Sequence, residues 1–315
     1  MLSNDISDLI CRLQERKAKT VALQFPEGLK RKAAEYARAL KSAGFSVSVS
    51  GDPCFGACDL ALDTLQDADV LVHVGHAPVD EQDRVIFLPF AVDFDVPIIE
   101  KAVPLLNGQP VGLVTTVQHV HLVPAMESFL RAKEIDVRVA DGSGRTPHAG
   151  QVLGCSFTAA KIPLASEILY VGTGLFHPIG IALATGKRVV ALDPLSGIAS
   201  EVSGETLLRR RFAVIEKARG AKTVGIIVST KSGQRRIDLA RRLALLSPGA
   251  VLVAMKEVSP DELLNLGFAC YVNTACPRLA YDDQVRFPVP VLSPQEFEIL
   301  CGKRTWDDYA IDEIP

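Results

Sequence analysis

The chain of 315 residues has a formal net charge of −3, with 48% apolar and 23% charged residues. This composition is typical of a soluble globular protein, and the length suits two or three domains. The balanced charge gives no sign of a nucleic-acid or membrane partner, and no run of about 18 uncharged apolar residues predicts a membrane span.

The first part of the chain predicts strands and helices in alternation. An amphipathic segment at 6–13 precedes a buried strand at 20–25, and Pro26-Glu27-Gly28 interrupts that strand. Apolar residues at helical spacing predict a helix from Leu29 to Ala43. The other predicted elements of this part are strands at 45–49, 69–74 and 84–88 and a helix start at 60–65.

The same order of elements returns twice along the chain. The second unit predicts strands at 110–115, 137–139, 168–171 and 188–192 and a helix at 121–133. The third predicts strands at 223–228, 250–254 and 269–272 and helices at 235–246 and 260–266. Three of these strands end in similar sequences, which are Gly75-His76-Ala77-Pro78, Phe176-His177-Pro178 and Ala275-Cys276-Pro277.

A repeat of roughly 100 residues predicts domain triplication rather than a solenoid. Alternating strands and helices indicate mainly parallel sheets. We therefore expect an α/β protein with three similar Rossmann-like domains, each a small sheet flanked by helices, arranged with pseudo-threefold symmetry around a centre. The predicted domains are residues 1–105, 106–215 and 216–315. The alternative is that three unrelated α/β segments resemble one another.

Seven cysteines occur in a chain whose start is mixed and charged, unlike a signal peptide. These features favour a reducing, cytoplasmic location, where cysteines more often bind metals or react than form disulfides. Cys11 is predicted to pack in the core from the first helix, Cys270 to lie buried in a strand, and Cys301 to be structural. The acidic tail from Trp306 to Pro315 is expected to be a surface extension.

The remaining cysteines lie on predicted loops beside glycine or proline, which permits close approach of the backbone to a cluster. Cys54 and Cys58 form one closely spaced pair, whereas a zinc finger needs a second such pair. Single cysteines on matching loops far apart in the chain suit an iron–sulfur cluster where three domains meet. Cys155 is expected at a helix start. Spacing alone does not decide between Cys54 and Cys58, and it also leaves ordinary burial open for each cysteine.

Several segments resemble one family over essentially the whole chain, the archaeal diphthamide-biosynthesis enzymes. Three of these segments lie in the first unit, and they are Gln24-Phe25-Pro26-Glu27-Gly28, Gly51-Asp52-Pro53-Cys54-Phe55-Gly56-Ala57-Cys58-Asp59 and Val72-His73-Val74-Gly75-His76. The others are Leu153-Gly154-Cys155 and Cys276-Pro277-Arg278-Leu279.

The resemblance implies transfer of a 3-amino-3-carboxypropyl group from S-adenosylmethionine to a histidine of translation elongation factor 2. It implies reductive cleavage of the Cγ–S bond at a 4Fe–4S cluster, without the cysteine loop and barrel of ordinary radical S-adenosylmethionine enzymes. The implied ligands are Cys58, Cys155 and Cys276, with Cys54 as a neighbour. It also implies a homodimer and requires an electron donor.

Residues on the loops after the first strands are predicted to line the same cavity. Gly233 and Gln234, at an expected helix start, are candidates for the S-adenosylmethionine carboxylate, although helix capping by 229–232 explains this sequence equally well. Arg278 is the favoured cation for that carboxylate, whereas Arg235 and Arg236 are expected on a solvated helix face. The other residues expected to line the cavity are Gln24, Glu27, Gly28, Gln118, His119, Ser229, Thr230 and Lys231.

His76 and His177 end predicted strands near the ligand loops and are candidates for orienting the substrate or accepting its proton. A satisfied structural histidine is the alternative at both positions. Asp193 follows a strand and either binds the ribose hydroxyls or opens a turn.

Three other functions fit parts of the pattern. A quinolinate synthase-like enzyme uses three similar domains and a 4Fe–4S cluster as a Lewis acid, but the sequence around Cys54 and Cys58 argues against it. A non-catalytic iron–sulfur electron-transfer subunit is a second alternative. A three-domain nucleotide-binding protein with incidental cysteines is the third.

Overall fold

A computed structural model describes residues 6–315. Three separate sheets form within this range, and almost all of their strand pairs are parallel. The expected α/β architecture of three similar units is confirmed. No helix among the described residues is long and apolar enough to cross a membrane.

The first sheet has the strand order β2-β1-β3-β4, and all of its pairs are parallel. Its central strands are apolar and buried, so they form the layer against which the helices pack. The elements are α1 (Ile6–Glu15), β1 (Thr20–Gln24), α2 (Ala33–Ser42), β2 (Ser46–Val49), β3 (Val70–Gly75) and β4 (Val85–Pro89).

The second sheet has the order β6-β5-β7-β8-β9, in which only the edge strand β9 is antiparallel. The elements are β5 (Val111–Thr115), α3 (Val123–Ala132), β6 (Val137–Arg138), β7 (Glu167–Val171), α4 (Phe176–Thr185), β8 (Arg188–Asp193) and β9 (Ile198–Val202). Neither α4 nor β9 was predicted. The apolar run of α4 lacks the alternating polar face that reveals a helix in the sequence.

The third sheet has the order β11-β10-β12-β13 and is parallel throughout. The elements are α5 (Glu205–Ala218), β10 (Val224–Ser229), α6 (Ile237–Ala244), β11 (Val251–Met255), α7 (Pro260–Leu266), β12 (Cys270–Asn273), α8 (Arg278–Tyr281), β13 (Val291–Leu292) and α9 (Pro294–Leu300). The unpredicted helix α5 spans the expected boundary at residue 215 and packs on this third sheet through Ile215 and Ala218. The division of the chain at these residues stays a prediction.

Each sheet has its first strand near the centre, its second strand at one edge and its third strand on the other side. The carboxyl ends of parallel strands meet at one edge of a sheet, where loops collect polar groups. The loops that carry the candidate residues of all three units begin at these ends.

Several local expectations were wrong. The segment from Leu29 to Ala43 is not one helix, because the 3₁₀ turn Glu27–Lys32 covers its start and precedes α2. Cys11 is exposed, since Leu9 and Leu13 form the buried face of α1. The chain end is not a surface extension, because the side chains of Ile311, Asp312 and Ile314 are buried.

The chain end is held by specific contacts. The Ile314 amide donates to the Cys155 carbonyl at 2.8 Å. Asp312 forms an ion pair with Arg236, with 2.6 Å between the closest atoms, and both side chains are largely buried. Arg236 had been expected on a solvated helix face, and this expectation was wrong. The acidic composition of the tail suggested exposure, but the Asp312 carboxylate lies in the interior, where it is paired with Arg236.

Candidate metal centre

Cys58 lies on the long loop between β2 and β3. The Gln24 side chain, at the end of β1, organises this loop by donating from Nε2 to the Asp59 carbonyl at 2.7 Å and accepting from the Ala61 amide at 3.1 Å. Because a carbonyl only accepts and an amide N–H only donates, these contacts determine the orientation of the Gln24 amide. The first strand thereby positions the cysteine loop.

Cys155 had been expected at a helix start, but it lies in a tight turn. Leu153 and Ser156 exchange backbone hydrogen bonds of 2.9 and 3.1 Å, so Gly154 and Cys155 form the tip of the turn. A β-carbon at Gly154 would lie 2.4 Å from the Phe176 ring. Glycine at this position therefore lets the turn approach the start of α4.

Cys276 follows β12, the third strand of its sheet, whereas Cys58 and Cys155 follow second strands. The three cysteines therefore do not come from matching loops, and this expectation was wrong. Cys276 instead matches His76, which also follows a third strand. The Asn273 side chain stabilises the loop by donating to the Cys276 carbonyl at 2.8 Å and accepting from the Ala275 amide at 3.0 Å.

The three thiols lie close enough to influence one another's charge. Burial, together with the neighbouring Cys58 and Cys155 thiols, raises the pKa of Cys276 to about 12. The pKa of Cys155 is also raised, mainly by burial and additionally by Cys58. Three sheets thus deliver one thiol each to a shared, half-buried space.

The third sheet also contacts Cys58 directly. The Gln234 amide lies 3.2 Å from the Cys58 sulfur, and a β-carbon at Gly233 would lie 2.5 Å from the Cys58 α-carbon. Both residues belong to a short 3₁₀ turn, Ser232–Gln234, because α6 begins only at Ile237. The expected helix start is therefore displaced, and no serine side chain among the described residues caps this turn.

The residues present fit a cluster that needs three thiolate ligands. Thiolate is the soft ligand that iron–sulfur clusters require, and the raised pKa values mean that metal binding would displace protons. Arg145 lies beside these thiols, and its charge lowers the pKa of Cys58 and Cys155 against the larger effect of burial. Its Nε is buried and has no hydrogen-bond partner in the described part of the chain.

Cys54 is buried beside a histidine pair. Possible ligand atoms of Cys54, His73 and His76 lie within 4.8 Å of one another. His73 Nδ1 lies 2.9 Å from the Gln24 oxygen, and His73 Nε2 lies 2.9 Å from His76 Nδ1. The histidine nitrogens that face each other are therefore occupied by their own hydrogen bond.

Several predicted binding residues use their polar groups within the fold. Both polar groups of the Gln24 side chain are engaged, as described above, and the Ser229 hydroxyl accepts from the Lys231 amide at 3.1 Å. Asp193 opens a turn by accepting from the amides of Leu195 and Ser196. Gly28 faces open space.

The remaining candidates gather near Cys276. His177 lies in the first turn of α4, so it does not end a strand, and its ring stacks on Tyr170 with centroids 5.9 Å apart. Burial, and secondarily the Arg278 charge, lowers the pKa of His177 to about 4. Arg278 pairs with Asp282, and its guanidinium lies 4.8 Å from the Phe176 ring centroid. The Arg278 side chain is 55% exposed, while Arg235 is exposed.

The sequence did not reveal three features of the site. Lys231 forms a buried ion pair with Asp59 at 2.9 Å, which joins the first and third units. Arg145 and His73 were also missed. No local pattern distinguishes these residues from ordinary loop and strand residues, so their roles depend on contacts between distant segments.

Comparison with known proteins identifies relatives along almost the whole chain. The family model described as "Putative diphthamide synthesis protein" matches residues 25–311. The 2-(3-amino-3-carboxypropyl)histidine synthase of Pyrococcus horikoshii is 37% identical, with 98% of this chain and 92% of the relative covered. The enzyme of that name from Methanocaldococcus jannaschii is 27% identical, with coverages of 93% and 87%.

The solved structures give the same answer. Dph2 from Pyrococcus horikoshii, in a crystal structure with a 4Fe–4S cluster, superposes with a TM-score of 0.93 at 36% identity. The superposition covers 100% of this chain and 95% of that chain. These findings confirm the resemblance and the expected fold. The chain therefore belongs to the family of diphthamide synthesis proteins.

Proposed function

We propose that this chain transfers the 3-amino-3-carboxypropyl group of S-adenosylmethionine to a histidine of translation elongation factor 2. Cys58, Cys155 and Cys276 hold the 4Fe–4S cluster. The observation that carries this proposal is that three sheets each supply one thiol to a common, half-buried space. Three ligands to a four-iron cluster leave one iron open to substrate.

When bound, a reduced cluster of this type supplies the electron that breaks the Cγ–S bond. The protein holds the three thiolates, and the Gln234 amide donates a hydrogen bond to the Cys58 sulfur. Hydrogen bonds to ligand sulfurs tune such centres. The surrounding residues must also orient S-adenosylmethionine so that the correct one of its three C–S bonds faces the metal.

Gly233, Gln234 and Arg278 are the favoured contacts for S-adenosylmethionine. The first two adjoin Cys58, and Arg278 has an exposed side chain two residues after Cys276. Gly28 remains a candidate because its surroundings are open. Gln24, Asp193 and Ser229 complete the proposed set of S-adenosylmethionine contacts. Their internal hydrogen bonds favour structural roles within that site.

His76 is our candidate for accepting the proton released from the substrate histidine. The Gln24 oxygen only accepts, so neutral His73 carries its proton on Nδ1 and accepts at Nε2. His76 must then donate from Nδ1, which leaves its Nε2 lone pair available. Burial lowers the pKa of His76 to about 4, so the ring is neutral at pH 7. His177, also neutral, is the second candidate.

The proposed partners follow from this reaction. The acceptor is a protein, translation elongation factor 2, and an electron donor must reduce the cluster. We also propose a homodimer and a cytoplasmic location. All seven cysteines are free thiols, which suits a reducing compartment.

Anaerobic cleavage of S-adenosylmethionine tests the function. The protein is reconstituted with iron and sulfide, reduced with dithionite and mixed with S-adenosylmethionine, and the products are identified. We expect methylthioadenosine and a carboxypropyl-derived product, with Cys276→Ala as the inactive control. 5′-Deoxyadenosine would contradict the proposed bond cleavage. An intact cluster without any cleavage would favour Lewis-acid or electron-transfer chemistry instead.

A further inference from the structure

Arg145 is held beside the cysteines by a tight turn. Ser143 and Thr146 exchange backbone hydrogen bonds of 2.8 and 2.7 Å, so Gly144 and Arg145 form the tip. The turn of Cys155 is built in the same way, with glycine again before the functional residue. The loop after β6 thus presents a cation and a thiol from two consecutive tight turns.

The guanidinium of Arg145 bridges two units of the protein. Nη2 donates to the Gly233 carbonyl at 2.9 Å, and Gly233 packs against the backbone of Cys58. The residue is only 7% exposed, and its Nε has no partner among residues 6–315. Arg145 therefore lies within the contact between the second and third units, next to the loop of Cys58.

Arg145 differs from the other buried cations in the described part of the chain. Arg211 pairs with Glu296 at 2.5 Å, and Lys231 pairs with Asp59. No carboxylate within residues 6–315 forms an ion pair with Arg145, although burying an unpaired charge is unfavourable. The described carboxylates therefore do not compensate the charge of Arg145, and another anion is needed beside it.

The thiols are the groups that can provide this anion. Arginine stays protonated, so its charge is permanent. Cys58 lies against Gly233, whose carbonyl accepts from Arg145. Cys155 forms the tip of the tight turn that follows the turn of Arg145. A fixed cation in a buried site interacts strongly with nearby negative charge because water does not screen it.

We propose that Arg145 is the counter-charge of the three-thiolate centre and raises the reduction potential of the cluster bound there. This inference rests on the proposed function. Reduction adds one electron from the external donor and makes the centre more negative, so a fixed cation stabilises the reduced form more than the oxidised form. No proton moves, since the guanidinium is charged throughout. Arg145 is thus a positioning and tuning residue.

The test is an anaerobic redox titration of the reconstituted protein without S-adenosylmethionine, followed by electron paramagnetic resonance. Iron and sulfide content and circular dichroism are measured for every variant. At the midpoint potential of the parent, we expect Arg145→Gln to lower the ratio of reduced to oxidised cluster at least tenfold, which is about 59 mV for one electron. Arg145→Lys keeps the charge, and its ratio of reduced to oxidised cluster should stay within about threefold of that of the parent.

Arg242→Gln removes the same charge from an exposed position on α6 and should match the parent. If Arg145→Gln fails to retain the cluster while Arg145→Lys retains it, the counter-charge role is supported. If only Arg145→Lys folds, a tenfold lower ratio in that variant overturns the inference. Equal potentials for Arg145→Gln and the parent also overturn it, including when S-adenosylmethionine binding is weakened.

The inference and the proposed function fail in different ways. A parent protein that takes up no cluster refutes both, because then there is no centre to tune. A parent that loads a cluster, cleaves S-adenosylmethionine and shows no response of its potential to the charge at residue 145 leaves the function standing and refutes the inference alone.

Discussion

The Gln234 side-chain amide donates a hydrogen bond to the Cys58 sulfur at 3.2 Å, across 176 positions of sequence. This contact joins the third unit to the cysteine loop of the first. The preceding residue, Gly233, packs directly against the Cys58 backbone. The geometry around Cys58 therefore depends on how two distant loops fit together, and a small change in either loop should disturb it.

Gly233→Ala should displace the cysteine loop. A β-carbon there would lie 2.5 Å from the α-carbon of Cys58, which is too close for backbone atoms to tolerate. We expect a loss of about 1–3 kcal/mol in unfolding free energy and reduced cluster content. Urea unfolding and iron analysis measure both. Gly51→Ala is the control, because nothing lies within 4 Å of its β-carbon; equal behaviour of the two variants would argue against the predicted clash.

Cys58→Ala, Cys155→Ala and Cys276→Ala should each lose the cluster, because each removes one of three proposed ligands. Cys301→Ala should keep the cluster, since Cys301 follows α9 and packs against the core of the third unit. Iron and sulfide analysis after anaerobic reconstitution checks all four variants. A full cluster in Cys155→Ala would rule out the three-domain site.

The buried histidines should make the protein less stable in acid. Burial, and secondarily the charge of His76, lowers the pKa of His73 to about 3, against an unfolded value of about 6.5. Between these values the unfolded chain binds the extra proton, so stability is present above about pH 6.5 and falls as the pH decreases. His73 should contribute about 1.4 kcal/mol per pH unit near pH 5.

Urea unfolding of the parent and of His73→Gln, measured from pH 8 to pH 4.5, checks this expectation. The slope of stability against pH should be about 1 kcal/mol per unit smaller in the variant below pH 6. Between pH 7.5 and 8 the histidines are neutral in both states, and the slopes should agree. Parallel curves throughout would show that His73 titrates normally in the fold.

Arg236→Gln should strongly destabilise the chain end. It leaves Asp312, whose side chain is 1% exposed, without its cation. Removing one partner of a buried pair costs about 3–5 kcal/mol. Arg241→Gln is the matched control because its pair with Asp238 is exposed, where the cost is about 0–1 kcal/mol. Similar urea midpoints for the two variants would contradict the buried role of the tail.

Local sequence determined much of this protein. Alternating apolar segments and turn residues indicated parallel α/β units, because the periodicity of burial is a property of each element by itself. The loops around Cys58, Cys155 and Cys276 carried the family resemblance. Helices such as α4 were not predicted, because a helix that is apolar on most sides has no amphipathic pattern to detect.

Tertiary structure decided which groups act together. It directed Asp312 into the interior and brought Arg145 beside the thiols with no carboxylate partner from residues 6–315. It also determined the proton positions of His73 and His76 through the amide of Gln24. None of these relationships has a local pattern, because they arise where separately folded sheets meet. Packing between distant segments, and the low dielectric that it creates, gives such contacts their chemical effect.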